Sequence, residues 1–210
     1  MGSRVMHLII ANKIADQLSL KDKKAFLLGG IAPDAVAPKD RSHYFAGKIE
    51  DFTRYIAYEK FQEKYQSLNQ NYILGYVTHL IADDIWLKGF YLSWLKNRMN
   101  HDEGLYQKYH GDFRLLNGKL LDHYKVKIDL LDDIDSIQLP DIDEVKAKDV
   151  REFIPYVIGD FDYNRQDLEA DLNVFTFEQM VGYVETSVDK GVLYVKDQLL
   201  NAKHGETQST

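Results

Sequence analysis

Apolar residues in this chain return every three or four positions almost from end to end, while alternating apolar–polar runs are scarce. That period keeps a stripe of a helix turned toward a core, and a strand cannot use it. The pattern predicts helices over 4–18, 22–30, 50–66, 70–97, 102–125, 149–161 and 176–201. Thr176-Phe-Glu-Gln179 has the spacing of a capping box, which marks the start of the last helix. Pro33 and Pro38 bracket a loop, Pro140 falls in the acidic connector 129–148, and Pro155 is expected to interrupt a helical run. The connector, DLLDDIDSIQLPDIDEVKAK, reads as a solvated crossing. The expected fold class is therefore all-α: a single-domain multi-helix bundle over 1–201, with a polar tail, 202–210, that frays.

Composition narrows the partners. With 45% hydrophobic and 12% aromatic residues in a chain of 210, there is enough apolar material for one sizeable core. A formal net charge of −7 argues against broad electrostatic capture of nucleic acid or of an anionic membrane, so no nucleic-acid partner is expected. Cysteine is absent, which excludes disulfides and thiolate sites and leaves any metal to His and carboxylates. MGSRVMHLIIANKIADQL lacks the long apolar region of a signal peptide, and no run approaches the roughly 20 apolar residues of a membrane span. A cytoplasmic location without a transmembrane anchor is the expectation.

One stretch breaks the apolar rule. In GYVTHLIADDIW, residues 75–86, His79 and Asp83 stand four apart, on one helix face and one turn apart, with a second acid, Asp84, beside them. Such a pair is either a surface ion pair or two ligands within reach of one ion, and so little of this helix looks solvated that the first reading weakens. His7 shares a face with Ala11, Ile14 and Leu18, and alone would pass for an ordinary buried histidine. GGIAPDAVAPKDRSHY presents Asp34 and His43 from a turn; separately, the first could cap the turn and the second lie at the surface. Asp112 and His123 interrupt the apolar stripe of the helix over 102–125 and need partners, by hydrogen bonding or by ligation. Gathered around one or two divalent cations, His7, Asp34, His43, His79 and Asp83 would satisfy one another. The donor set suits zinc and tolerates manganese or iron.

The order of these motifs is similar to one known family. HLIIA on the first helix, the GGIAPD turn, SHY, and GYVTHLIADDIW resemble the zinc-dependent phospholipase C family, whose all-α fold is shared with fungal single-strand nucleases. The resemblance covers about residues 4–90. It implies that His43, His79 and Asp83 hold a zinc, that Asp83 bridges to a second ion shared with His7, and that Asp34 is the catalytic base. The family also uses the mature amino terminus, a further His after the helix Asp, and a later His-x-x-x-Glu pair. Here six residues precede His7, Lys88 and Gly89 follow the helix acids, and the later pair is absent, so one or two ions are expected rather than three. His101, Asp112 or His123 would fill gaps.

The expected activity is metal-dependent phosphoester hydrolysis, a metal-activated water attacking a phosphodiester or phosphomonoester. The substrate is a small-molecule or lipid phosphoester. Two rivals follow from the same residues. His101-Asp102 supplies the doublet of HD-domain metal phosphohydrolases, and a non-catalytic helical protein could hold a structural metal at the same side chains.

Overall fold

The computed structural model describes residues 2–68 and 70–207. Among them the architecture is all-α, relieved only by a two-stranded antiparallel hairpin that pairs Phe45 with Ile56 and Ala46 with Tyr55. The helices are α1 (Arg4–Gln17), α2 (Lys23–Ile31), α3 (Tyr58–Tyr65), α4 (Gln70–Trp86), α5 (Lys96–His101), α6 (Leu105–Tyr124), α7 (Ala147–Gly159), α8 (Arg165–Glu169) and α9 (Phe177–Thr207). No helix among the described residues is long and apolar enough to cross a membrane.

Helix α4 is the central element, packed against α2, α1, α3 and α9. It is hydrophobic nearly all round, and from Tyr72 to Asp84 every residue is buried, as expected of a helix enclosed by others rather than lying on a surface. Its contact with α2 is backbone to backbone. Gly29 and Gly75 face each other's chains so closely that a Cβ on Gly29 would fall 2.0 Å from the Tyr72 carbonyl oxygen, and one on Gly75 2.1 Å from that of Phe26. Trp86, at the end of α4, lies within 4.7–6.3 Å, ring to ring, of Phe90, Tyr109, Phe113, Phe175 and Tyr183, tying α4 to α6 and α9.

Local chemistry sets several boundaries. Ser3 caps α1 by accepting the Met6 N–H, and Asp22 caps α2 by accepting that of Ala25. The capping box at α9 forms in both directions, Thr176 N–H to Gln179 Oε1 at 2.9 Å and Gln179 N–H to Thr176 Oγ1 at 3.2 Å.

Other boundaries differ from the periodicity. The helix expected from 50 starts only at Tyr58, because Asp51 Oδ1 accepts from both the N–H and the hydroxyl of Thr53 and holds the tip of the hairpin. The long run over 70–97 is not one α-helix. Leu87–Leu95 widens into a π-helical stretch, closed where the Lys96 N–H reaches the Tyr91 carbonyl. Pro155 does not interrupt α7; it sits inside it, at an exposed position. The acidic connector is only partly solvated, since it buries Leu131, Ile134, Ile142 and Val145. Its Glu144 accepts from Tyr44 Oη at 2.6 Å and Lys64 Nζ at 2.7 Å, and also from Tyr65 Oη. Helix α9 continues past 201 to Thr207, and the last three residues of the polar tail lie outside the described residues.

Candidate metal centre

Five polar side chains from four places in the chain meet on the inner side of α4. His79 and Asp83 come from α4 itself, His7 from the first turn of α1, Asp34 from the turn after α2, and His43 from the loop before the hairpin. His7, His43, His79 and Asp83 are each 2% exposed or less. His7 stacks on His79 with ring centroids 3.6 Å apart, and His43 stands edge-on to His79 at 5.2 Å. Asp83 lies at the centre: Oδ1 is 3.3 Å from His7 Nε2, while Oδ2 is 3.2 Å from His43 Nε2 and 3.7 Å from His79 Nε2. Asp34 Oδ1 closes the far side, 3.6 Å from His43 Nε2 and 2.6 Å from the Lys39 ammonium. Two overlapping groups, His7–His79–Asp83 and Asp34–His43–His79, each offer donor atoms within 4.8 Å of one another, close enough to hold a metal ion.

The outer hydrogen bonds fix which way the imidazoles present their lone pairs. His79 Nδ1 is 2.8 Å from the Gly30 carbonyl oxygen, which can only accept, so Nδ1 carries the proton. Ser42 spends its one hydroxyl hydrogen on a backbone carbonyl, that of Pro33 at 2.7 Å or Lys39 at 3.4 Å. It therefore accepts from His43 Nδ1 at 2.8 Å. In the neutral rings both Nε2 atoms are then bare acceptors, and they face each other at 3.4 Å across the Asp83 carboxylate. Acceptors converging on one buried point repel unless a cation lies between them. His7 adds to the case, because neither of its buried ring nitrogens makes a hydrogen bond of good geometry among the described residues.

Electrostatics point the same way. Burial, reinforced by the neighbouring His7, pushes His79 down to about 3, and burial also lowers His7 against the pull of Asp83. Both rings are neutral, as ligands must be. Burial alone would raise the Asp83 carboxyl, but the surrounding His43, His7 and His79 rings help hold it well below its ordinary range. His43 is raised, because its bonds to Asp34 and Asp83 outweigh its burial. Burial would likewise raise Asp34, yet the Lys39 ammonium and His43 hold it well below the usual carboxylate range.

The other candidates lie apart from this group. Asp84, one step round α4 from Asp83, accepts the Ile56 N–H at 3.0 Å and Lys88 Nζ at 2.6 Å, and so anchors the hairpin. His101 is exposed at the end of α5 and donates from Nδ1 to the Asn97 carbonyl at 2.7 Å. His123 is exposed, its ring against Tyr124 and Phe177. Asp112 is fully buried, and its partners are backbone N–H groups together with the Asn173 side-chain amide at 3.3 Å. Its carboxylate accepts the N–H groups of Asn173, Val174 and Phe175 at 2.8, 2.7 and 3.2 Å. Asp112→Ala removes the acceptor of three backbone donors, that of Phe175 buried, so it should cost about 3 kcal/mol in urea unfolding while leaving metal content at the wild-type level.

Gly2 is the neighbour that the sequence did not announce. Its backbone nitrogen lies 3.4 Å from Asp83 Oδ1, and a Cβ there would meet His7 Nε2 and Tyr183 Oη at 3.2 Å each. With Ser3 as the helix cap, the residue before it is laid across the cluster instead of leading away.

An all-α fold with a buried histidine–carboxylate group able to hold a metal defines a class, helical proteins with a candidate metal centre. Residues 6–183 match the zinc dependent phospholipase C family, and the chain belongs to it. No curated protein and no solved structure matches.

Proposed function

We propose that this protein is a zinc-dependent phosphoester hydrolase whose metal is held by His7, His43, His79 and Asp83, with Asp34 as the catalytic base. The observation that carries the reading is the convergence of the His43 and His79 Nε2 atoms, 3.4 Å apart, beside Asp83. One or two zinc ions fit the nitrogen and oxygen donors, with manganese or iron as substitutes. When bound, zinc supplies Lewis acidity, lowering the pKa of a water it holds from 15.7 toward about 7 and neutralising charge on phosphoryl oxygens.

The chain's own residues then have distinct tasks. Gly30 and Ser42 fix the tautomers of His79 and His43, so that the ligand nitrogens need no reorganisation. Asp34 is kept ionised by Lys39 and accepts a proton from the attacking water at its carboxylate. The water oxygen forms the new bond to phosphorus, the ester oxygen leaves with its bonding pair, and the proton follows it. The Gly2 backbone nitrogen, 3.4 Å from Asp83 Oδ1, borders this donor set.

Elemental analysis and hydrolysis of bis(4-nitrophenyl) phosphate test this together. Purified protein should carry near-stoichiometric zinc and cleave the ester, lose activity to a chelator, and regain it with zinc. His101→Ala should change neither metal content nor rate, whereas the HD reading requires both to fall. Zinc that is bound, and whose removal melts the fold, with no ester cleaved under any metal, would establish the structural-metal reading instead.

A further inference from the structure

A cavity of about 590 Å³ opens beside the cluster, between the start of α1, the 32–41 turn, α6 and α7, with Asp34 in its wall. Its volume exceeds what a single phosphate needs and falls within the range of small-molecule sites. Three cations line it, Arg4, Lys39 and Arg114, against two carboxylates, Asp34 and Asp160. Both carboxylates are already matched inside the wall. Lys39 Nζ sits 2.6 Å from Asp34, and Arg4 grips Asp160 with Nε at 2.7 Å and Nη2 at 2.9 Å. That grip uses two of the five guanidinium N–H donors of Arg4. The group is fixed further by the Phe153 ring, 5.6 Å from its Cζ. Arg114 is the one lining cation whose carboxylate partner stands outside the cavity. Its Nη1 reaches Asp167, which does not line the cavity, and its side chain is 69% exposed. Tyr109, Phe113 and Phe153 provide apolar wall between these polar groups.

We propose that this cavity selects phosphoesters that carry a second anionic group, a phosphate or a carboxylate, which Arg114 and Arg4 bind while the scissile group sits at Asp34. This rests on the reading of the cluster as the hydrolytic site. A cationic leaving group would meet three lining cations against two carboxylates that are both already ion-paired, and no donor of the wall could serve it. An anionic one meets a pre-positioned guanidinium, and guanidinium forks suit phosphate and carboxylate oxygens. Because Arg4 is already immobilised by Asp160 and Phe153, binding it costs little further side-chain entropy.

The test is calorimetric binding to metal-free protein, so that it does not depend on turnover. Glycerol 1,3-bisphosphate should bind wild type at least ten-fold more tightly than glycerophosphocholine. Arg114→Gln, at an exposed position that leaves the fold intact by melting temperature, should abolish most of that preference, and Arg114→Lys should restore part of it. Equal binding of the two probes, or a preference unchanged in Arg114→Gln, overturns the proposal. With zinc restored, hydrolysis by the wild type without an anionic preference sinks only this inference, whereas binding preference without hydrolysis sinks only the catalytic reading. A lipid and a soluble source of the anionic group are separated by vesicles carrying a phosphomonoester headgroup. Arg114-dependent binding there indicates a lipid, and Arg114-dependent binding of the soluble bisphosphate alone a metabolite, and either supports the anionic selectivity.

Discussion

Asp83→Asn should leave the protein folded and without its metal. The substitution keeps the size of a side chain that is completely buried, but it removes the one negative charge that three imidazoles share. Loss of a residue that merely orients a ligand costs a metal site 10–100-fold in affinity. A central carboxylate should therefore cost more than about 100-fold, together with hydrolysis down to the uncatalysed background. The amide also adds two donors, and an N–H turned toward a cation is repulsive. Asp84→Asn is the matched control, one residue away on the same helix. Asp84 spends its oxygens on the Ile56 N–H and on Lys88, so its amide should lower stability by about 1 kcal/mol and keep zinc at the wild-type level. Zinc per chain by elemental analysis, with affinity from chelator competition, reads both variants. Wild-type zinc in Asp83→Asn, or equal loss in the two, would remove Asp83 from the ligand set.

The sequence revealed helices wherever an apolar period ran uninterrupted between strong caps, and hid boundaries that tertiary contacts decide. Helices α1, α2, α4 and α9 are of the first kind, because Ser3, Asp22 and Thr176 cap three of them and α4 is apolar apart from its first residues and the polar group at His79, Asp83 and Asp84. The start of α3 is of the second kind, since residues 50–57 keep a passable helical period while the Asp51–Thr53 turn and the pairing of Phe45 with Ile56 impose a hairpin. The grouping of His7, Asp34, His43, His79 and Asp83 was legible because polar residues on apolar faces must find partners. Asp112 obeyed the same rule with a different outcome, satisfied by the amides of Asn173, Val174 and Phe175 some sixty positions later. No spacing separates those cases, because what distinguishes a ligand from a clamp is what lies opposite in space. The cavity beside Asp34 was illegible for the same reason, being walled by α1, α6 and α7 at once.

Gly75→Ala should be strongly damaging for the addition of a single methyl group, as should Gly29→Ala across the same crossing. At Gly75 the added carbon would fall 2.1 Å from the Phe26 carbonyl oxygen and 3.1 Å from the Gly30 nitrogen. These are backbone atoms of α2, and they cannot rotate aside as a side-chain tip would. Helices α2 and α4 would have to part, and the buried residues on both would lose their close packing. Overpacking of a core usually costs 1–3 kcal/mol, and a rigid clash at the central crossing belongs above that range, at roughly 4 kcal/mol. For a chain of this length that lowers Tm by about 10 °C or more. The metal site would suffer with the fold, because His79 lies one turn beyond Gly75 and takes its orientation from the Gly30 carbonyl across the same interface. Metal-free Gly75→Ala should therefore melt early, and added zinc should rescue it less than it rescues wild type. Gly111→Ala gives the contrast. It sits exposed in α6 with nothing within 4 Å of a new Cβ, so alanine there should stabilise by about 0.5–1 kcal/mol through helix propensity alone. Thermal melts of both variants, with and without zinc, decide the matter. A Gly75→Ala protein melting within 2–3 °C of wild type, a shift that corresponds to only about 1 kcal/mol, would show that α2 and α4 can separate freely, and that the close crossing does not hold the cluster in place.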